Sequence, residues 1–463
     1  MTRPCNTRPA AEQGQFARTP TPPVLSRLAR LVPLTALTLL AWPATALHAE
    51  QNPWYVGVSE LFSHESNLLR LADGQSAAQV QAAQGLQGVT LSRADNLSQT
   101  SLLAGLDQPF GRQRAYANLS VRDTRYARNT LYNNVGYTAS GGLDWSTAER
   151  VAGSLTYSAN RSLSSFNSYG VTNEKNLEST QNADASVRVG LVTQYRLVFT
   201  LSHRQSRNSS ASQALQAREY QQDAASAGLQ WTPRAATTLG LALRETQGRY
   251  PKYRQLLDSL NNPVPGAYQA DRFKQPALDL TASLLPTGAS SLDARLSYSK
   301  TRYDLNQQRD FSGLTGTAGW IWQPRDRLKL SARWSRDVGQ NSYATTFFSV
   351  PGTSDFSQLY NSYRLQGDFN LTAKTVLTGA VQRVDRTLVT TVNNPLIFAN
   401  ALDQSGKDAS TVLSLGVRWT PLRSVNVGCD ASTERRTASG LSGLTAPLHD
   451  NTISCFGQFQ LQQ

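Results

Sequence analysis

From Leu119 almost to the C-terminus, apolar and polar residues alternate with a period of two, interrupted by short clusters of turn-forming residues. Leu119 and Val121 alternate with Ser120 and Arg122. The pattern recurs through Val151-x-Gly153-x-Leu155-x-Tyr157, Ala183-x-Ala185-x-Val187-x-Val189 and Tyr195-x-Leu197-x-Phe199-x-Leu201. It returns around Leu241, Leu280, Leu296, Leu330 and Leu415, and closes on Ile453-x-Cys455-x-Gly457-x-Phe459-x-Leu461. Side chains on a strand point to opposite faces in turn, so each segment predicts a strand with one oily face and one wet face.

The connections are asymmetric. Tight turns are expected near Ser146–Ala148, Thr193–Gln194, Thr232–Arg234, Pro286–Gly288, Pro324–Asp326, Thr372–Lys374 and Pro421–Arg423. Longer polar stretches separate them, at Ser162–Glu178, Arg249–Phe273, Gln340–Tyr360 and Thr390–Asp408. Spacing of about 40–50 residues between tight turns fits two strands of roughly ten residues plus one long loop, the plan of an outer-membrane barrel. The expectation is an all-β, antiparallel, up-and-down transmembrane β-barrel of about 18 strands, with short periplasmic turns and long extracellular loops. Sixteen strands is the alternative, because residues 63–88 read either way, and Ala77–Gln84 suits a short helix within a loop. Trp145, Trp231, Trp322 and Trp419 each stand immediately before a tight turn, as an aromatic girdle at the periplasmic interface requires.

Composition alone points elsewhere. Of 463 residues only 39% are hydrophobic, and no apolar run after residue 50 approaches the roughly 20 residues of a membrane helix. A barrel escapes that test because only alternate residues meet lipid. Near the N-terminus, Arg27 and Arg30 precede the apolar run Leu31–Trp42 and a small-residue exit at Ala46 and Ala49. That arrangement predicts a secretory leader over residues 1–49 and a single barrel over 50–463. Residues 1–23 are long and Pro/Thr-rich for a leader, which suggests a true start near Val24. Removing 1–49 takes away five arginines and one glutamate, so the net charge falls from +13 to +9. An exported basic chain has little use for nucleic acid, and an anionic solute or surface polymer is the better partner.

Little catalytic chemistry is legible. His64, His203 and His449 are far apart, without metal-ligand spacing, and no nucleophile elbow, phosphate loop or Cys-x-x-Cys occurs. No cofactor, metal or enzymatic activity is expected, and a barrel hydrolase would need a reactive serine beside His203. If the apolar set faces lipid, the opposite face carries Arg114, Arg122, Arg188, Arg196, Arg204, Arg244, Arg295, Lys329, Arg333, Arg364 and Arg418. Asp184, Asp279, Asp293, Asp368 and Asp430 share that face. Such a lumen draws anions in and keeps their binding in check, although charge is also simply tolerated in a wet lumen. Cys429 and Cys455 are nearly equidistant from a turn near Gly443 and share the outward parity, which suits a cross-strand disulfide in an oxidising compartment.

Several short motifs resemble a known family. They are Trp54-Tyr55-Val56-Gly57-Val58, Asn67-Leu68-Leu69-Arg70-Leu71-Ala72-Asp73-Gly74, Asp107-Gln108-Pro109-Phe110-Gly111-Arg112-Gln113-Arg114 and Arg161-x-x-x-Ser165-Phe166, with the terminal Cys pair. Together they look like the EpsL-type outer-membrane proteins of exosortase-associated exopolysaccharide clusters. The resemblance implies an outer-membrane pore for an extracellular polysaccharide, working beside a periplasmic export apparatus and inserted by the barrel-assembly machinery. A general or anion-selective diffusion porin is the competing expectation.

Overall fold

The computed structural model describes residues 53–461, apart from positions 84–89, 148–149, 165, 167–173, 193, 261, 348–349, 394–401 and 441–444. The expected leader, residues 1–49, lies outside the described residues. The strands of the first half are β1 (Trp54–Glu65), β2 (Asp95–Phe110), β3 (Gln113–Tyr126), β4 (Asn134–Thr147), β5 (Val151–Leu163), β6 (Leu177–Val192), β7 (Tyr195–Asn208), β8 (Tyr220–Arg234) and β9 (Thr237–Leu257). Those of the second are β10 (Pro263–Thr287), β11 (Ser290–Tyr303), β12 (Phe311–Arg325), β13 (Leu328–Phe347), β14 (Val350–Thr372), β15 (Thr375–Asn393), β16 (Leu402–Leu422), β17 (Val425–Gly440) and β18 (Leu448–Leu461). Two short helices, α1 (Ala77–Ala83) and α2 (Gln213–Gln216), lie in loops.

Each strand pairs antiparallel with its sequence neighbour, and β18 returns to β1 with Val56 opposite Leu461 and Glu65 opposite Thr452. The sheet therefore closes on itself with no free edge. Eighteen is even, so the first and last strands begin and end at the rim that carries the short turns. At that rim β2 and β3 meet with Phe110 opposite Gln113, and Gly111 takes φ +62° in the turn. Arg114 grips Asp107 just above it, Nε on Oδ1 at 2.7 Å and Nη2 on Oδ2 at 2.5 Å.

Burial alternates as the sequence predicts. Leu415, Leu243, Leu102 and Leu201 are 73%, 69%, 65% and 62% exposed on the outward row, while Ser297, Ser299 and Ser454 on the inward row are almost fully buried. Exposure of large apolar side chains at this density makes sense only in contact with hydrocarbon. Trp231, Trp322 and Trp419 stand exposed on that outward row close to the short turns. Trp145 lies there too, folded across Gly153 directly opposite it on β5. Trp54 and Trp320 join the same band, and Trp320 stacks on Trp322 at 5.9 Å.

Three stretches expected as long loops are largely strand among the described residues. Only residues 258–262 separate β9 from β10, only 348–349 separate β13 from β14, and 394–401 separate β15 from β16. Strands reach 25 residues in β10 and 23 in β14, well beyond the roughly ten expected. Above the bilayer neither face of a hairpin meets lipid, so apolar alternation fades while the backbone ladder continues. Between β5 and β6, residues 164–176 belong to neither strand, and part of that stretch lies outside the described residues.

A recurring device fits rings against the wall. Tyr55 lies over Gly105, Tyr116 over Gly142, Phe273 over Gly248 and Phe456 over Gly428, each pair directly opposed across two strands. A Cβ at any of these glycines would collide with the ring, so the missing side chain is what lets the ring lie flat.

Cys429 and Cys455 face each other in register on β17 and β18 and are joined, Cα to Cα 4.1 Å. Replacing both by alanine is expected to lower stability to urea in lipid vesicles by about 3.5 kcal/mol, the loop-closure value for a bridge of this span. Tryptophan fluorescence would follow the transition, and an unchanged midpoint would count against a bridge in the folded protein. Separately, Leu415→Arg on the lipid-facing row is expected to cost about 2–4 kcal/mol, read as loss of the compact band on a semi-native gel, whereas Thr317→Arg on the inward row leaves that band intact.

Candidate functional site

The inward row is where a passing solute would be handled. Arg114, Arg122, Arg188, Arg196, Arg204, Arg244, Arg295, Lys329, Arg333, Arg364 and Arg418 all occupy the parity opposite to the lipid-facing leucines of their strands. They do not form one site. Arg114 is stapled to Asp107 near the short-turn rim. Arg122 donates to Thr138 and Asn160, Arg364 to Gln366 and Gln382, and Arg418 lies 5.8 Å from the Phe456 ring. Arg188, Arg196 and Lys329 sit at other levels of the wall, with Lys329 opposite Asp368.

Four of the eleven converge. Arg204, Arg244, Arg295 and Arg333 line one cavity of about 570 Å³, walled by β7 to β14. Asp337 adds one carboxylate, and Tyr250, Phe273, Tyr303, Phe311 and Tyr360 supply rings. The β-ladder places these groups. Phe273 stands opposite both Gly248 on β9 and Tyr303 on β11, so the three strands bring their rings to one height. Phe273 and Tyr303 are 5.3 Å apart, Tyr250 and Phe273 6.0 Å.

Asp279 braces two of the arginines. It accepts from Arg244 Nε at 2.9 Å and from Arg295 Nη2 at 3.2 Å, and its own side chain is nearly buried. One carboxylate between two guanidiniums leaves a net positive charge facing the cavity, while both long side chains are held in place.

Above the rings the connection 304–310 turns into the barrel. Its 3₁₀ turn (Gln307–Arg309) carries Arg309, 1% exposed, between Tyr250 at 4.5 Å and Tyr303 at 4.6 Å. Asp271 lies 4.0 Å away, and Asn306 donates to the Tyr253 hydroxyl at 3.1 Å. A guanidinium sandwiched by two rings in a dry setting is a strong cation–π arrangement. From the neighbouring loop α2 packs on β9 and reaches β13, with Gln213 bonded to the Lys252 carbonyl and Tyr268 to Gln216. The extracellular side of the cavity is thus narrowed by two inward-turned loops.

A second inward structure covers the β1–β5 side. Leu68, Leu69, Leu71, Val80 and Leu91 from residues 66–94 bury against Tyr126, Tyr132 and Phe166. Asn67 ties the segment down by accepting from Leu71 N and donating to the Leu71 carbonyl, both at 2.9 Å. Asp450 of β18 accepts from Ser66 Oγ and Asn67 N. Burial among these apolar side chains pushes the Tyr132 hydroxyl up to about 12. Residues 67–74, one of the motifs read in the sequence, therefore fasten this segment to the wall of the barrel.

Sequence reading missed the rings, Arg309 and both inward loops. Parity alone would have found the rings, since Tyr250, Phe273 and Tyr303 fall on the inward row, but residues 249–273 read as loop. The histidines stay apart: His203 faces outward with Nδ1 2.7 Å from Asp223 Oδ1, His64 meets Asn96 and His449 meets Asn451. Among the described residues no cluster of three or more His, Cys, Asp or Glu side chains could hold a metal ion.

A closed antiparallel cylinder with a lipid-facing apolar band, an aromatic girdle and a polar interior is a β-barrel of the Gram-negative outer membrane, at a strand number that leaves room for an aqueous passage. No protein-family model and no curated protein matches the chain. Among solved structures it is similar to the FrpB iron transporter from Neisseria meningitidis, at 9% identity and TM-score 0.44, covering 89% of this chain and 82% of that one. It is also similar to the siderophore receptor PirA from Acinetobacter baumannii, at 6% identity and TM-score 0.43, covering 89% and 81%. A mutant of the ferric enterobactin receptor PfeA from Pseudomonas aeruginosa gives 8% and 0.43, covering 89% and 82%. Likenesses of this size carry no information on what passes through the barrel.

Because Asp279 offsets part of the arginine charge, Asp279→Asn is expected to raise anion over cation permeability in a planar bilayer. Arg244→Gln with Arg295→Gln is expected to lower it. Reversal potentials that ignore both changes would place the conducting path elsewhere.

Proposed function

We propose that this barrel is the outer-membrane passage by which an acidic extracellular polysaccharide leaves the cell, acting as a conduit and not as an enzyme. The observation that carries the reading is the meeting of guanidinium groups and aromatic rings in one luminal cavity. A sugar ring presents weakly positive C–H bonds, which lie well on the negative face of an aromatic ring. Carboxylate or sulfate substituents suit the planar fork of arginine. Spread along a wall, such contacts are individually weak and renewable, which lets a polymer advance without being trapped.

The resemblance to EpsL-type proteins points the same way, and on this reading the partners are the polymer, outer-membrane lipid, the periplasmic export apparatus and the barrel-assembly machinery. A diffusion porin with a preference for small anions is the second reading, favoured by the arginines and lysine that line other levels of the lumen away from any cluster of rings.

Deleting the gene is expected to abolish surface polymer while leaving uptake of small anions unchanged, and the reverse outcome favours the porin. In the complemented strain, Phe311→Ala with Arg295→Gln is expected to cut surface polymer by up to about tenfold, the factor that corresponds to roughly 1.4 kcal/mol of lost ring and charge contact. Antibody or lectin staining of whole cells would measure it, with the amount of assembled barrel as the reference.

A further inference from the structure

The outward face of β9, β10 and β11 changes character within two residues of the apolar band. On β11 the row runs Leu296, Tyr298, Lys300, Arg302, and on β10 it runs Leu280, Leu278, Pro276, Lys274, Arg272. On β9 it runs Leu243, Glu245, Gln247, Arg249. Below the change, Leu243, Leu278 and Tyr298 are exposed to lipid. Above it, Arg249, Arg272, Lys274, Lys300 and Arg302 are all exposed.

Register packs these cations tightly. Arg249 stands directly opposite Arg272, and Lys274 directly opposite Arg302. Like charges at directly opposed positions repel, and here the pairs lie side by side on neighbouring strands. Arg249 donates to Gln221, a neutral partner, and none of the five forms an ion pair among the described residues. Glu245 sits below the cations, and Asp304, just past β11, donates its backbone N–H to the Arg272 carbonyl, so two acids stand beside five cations. Two other cations of the outer face are neutralised by acids, Arg125 by Asp123 and Arg383 by Asp385.

We propose that this patch binds the phosphate groups of the phosphorylated glycolipid of the outer leaflet, with the acyl chains lying on Leu243, Leu278, Leu280 and Leu296 beneath it. A polybasic surface at the membrane interface attracts anionic headgroups, and phosphate oxygens spaced between paired guanidinium and ammonium groups cancel the repulsion that the register imposes. The site is built for a lipid because apolar and cationic rows are continuous on the same three strands. A free anion would need only the upper half.

The purified barrel in detergent micelles, titrated with bisphosphorylated lipid A and followed by native mass spectrometry, tests this. Arg272→Gln, Lys274→Gln and Arg302→Gln together are expected to weaken binding by about fivefold per cation removed, with the barrel band on a semi-native gel unchanged. Arg125→Gln with Arg383→Gln, taken from paired positions, is expected to leave binding intact. Equal affinity for the triple variant and the parent overturns the proposal, as does equal binding of dephosphorylated lipid A. Displacement of the lipid by an equimolar amount of inorganic phosphate would also overturn it, since the acyl chains would then contribute nothing.

Discussion

Hydrocarbon offers no hydrogen-bond partner, so every backbone N–H and C=O that crosses the bilayer must be satisfied within the protein. That requirement governs this chain more than any side-chain contact does. It is met by the single ladder between β18 and β1, which converts a long sheet with two raw edges into a cylinder with none. Once closure is imposed, the rest follows in sequence. Side chains divide into an outer and an inner set, hairpins alternate between two rims, and at the depth of the hydrocarbon the interior becomes the place where polar residues can accumulate.

Inside, the protein solves a second problem, how to keep charge in a wall without letting it collapse across the bore. Asp279 shows the method: one carboxylate fixes two arginines laterally, along the wall, so that neither reaches inward for a partner. Arg309 shows the opposite use of the same chemistry. It is drawn out of solvent between two rings and so holds a loop inside the barrel. The first arrangement keeps a passage lined, and the second keeps it narrow.

Much of this was legible from spacing alone. A period of two, tight turns and the positions of Trp231, Trp322 and Trp419 follow from lipid contact, which acts on consecutive residues and so leaves a local trace. Cys429 and Cys455 were legible because a hairpin maps sequence distance onto register. The long hairpins were not, because residues such as those of β10 beyond Lys274 pair through their backbones, without a lipid-facing row to mark them. Arg309 was invisible for a different reason. Its partners Tyr250 and Tyr303 come from two other strands, and nothing in the run Gln307–Arg309 announces a buried cation.

The glycines that face aromatic rings across the ladder have an implication for calibre. Tyr55, Tyr116, Phe273 and Phe456 hug the inner wall only because the residue opposite has no side chain. A single methyl at Gly105, where the ring of Tyr55 is all that it would meet, would swing that ring off the wall and toward the axis, constricting the duct while every strand stayed in register. The width of the bore is thus adjustable one carbon atom at a time, without any change in the number of staves.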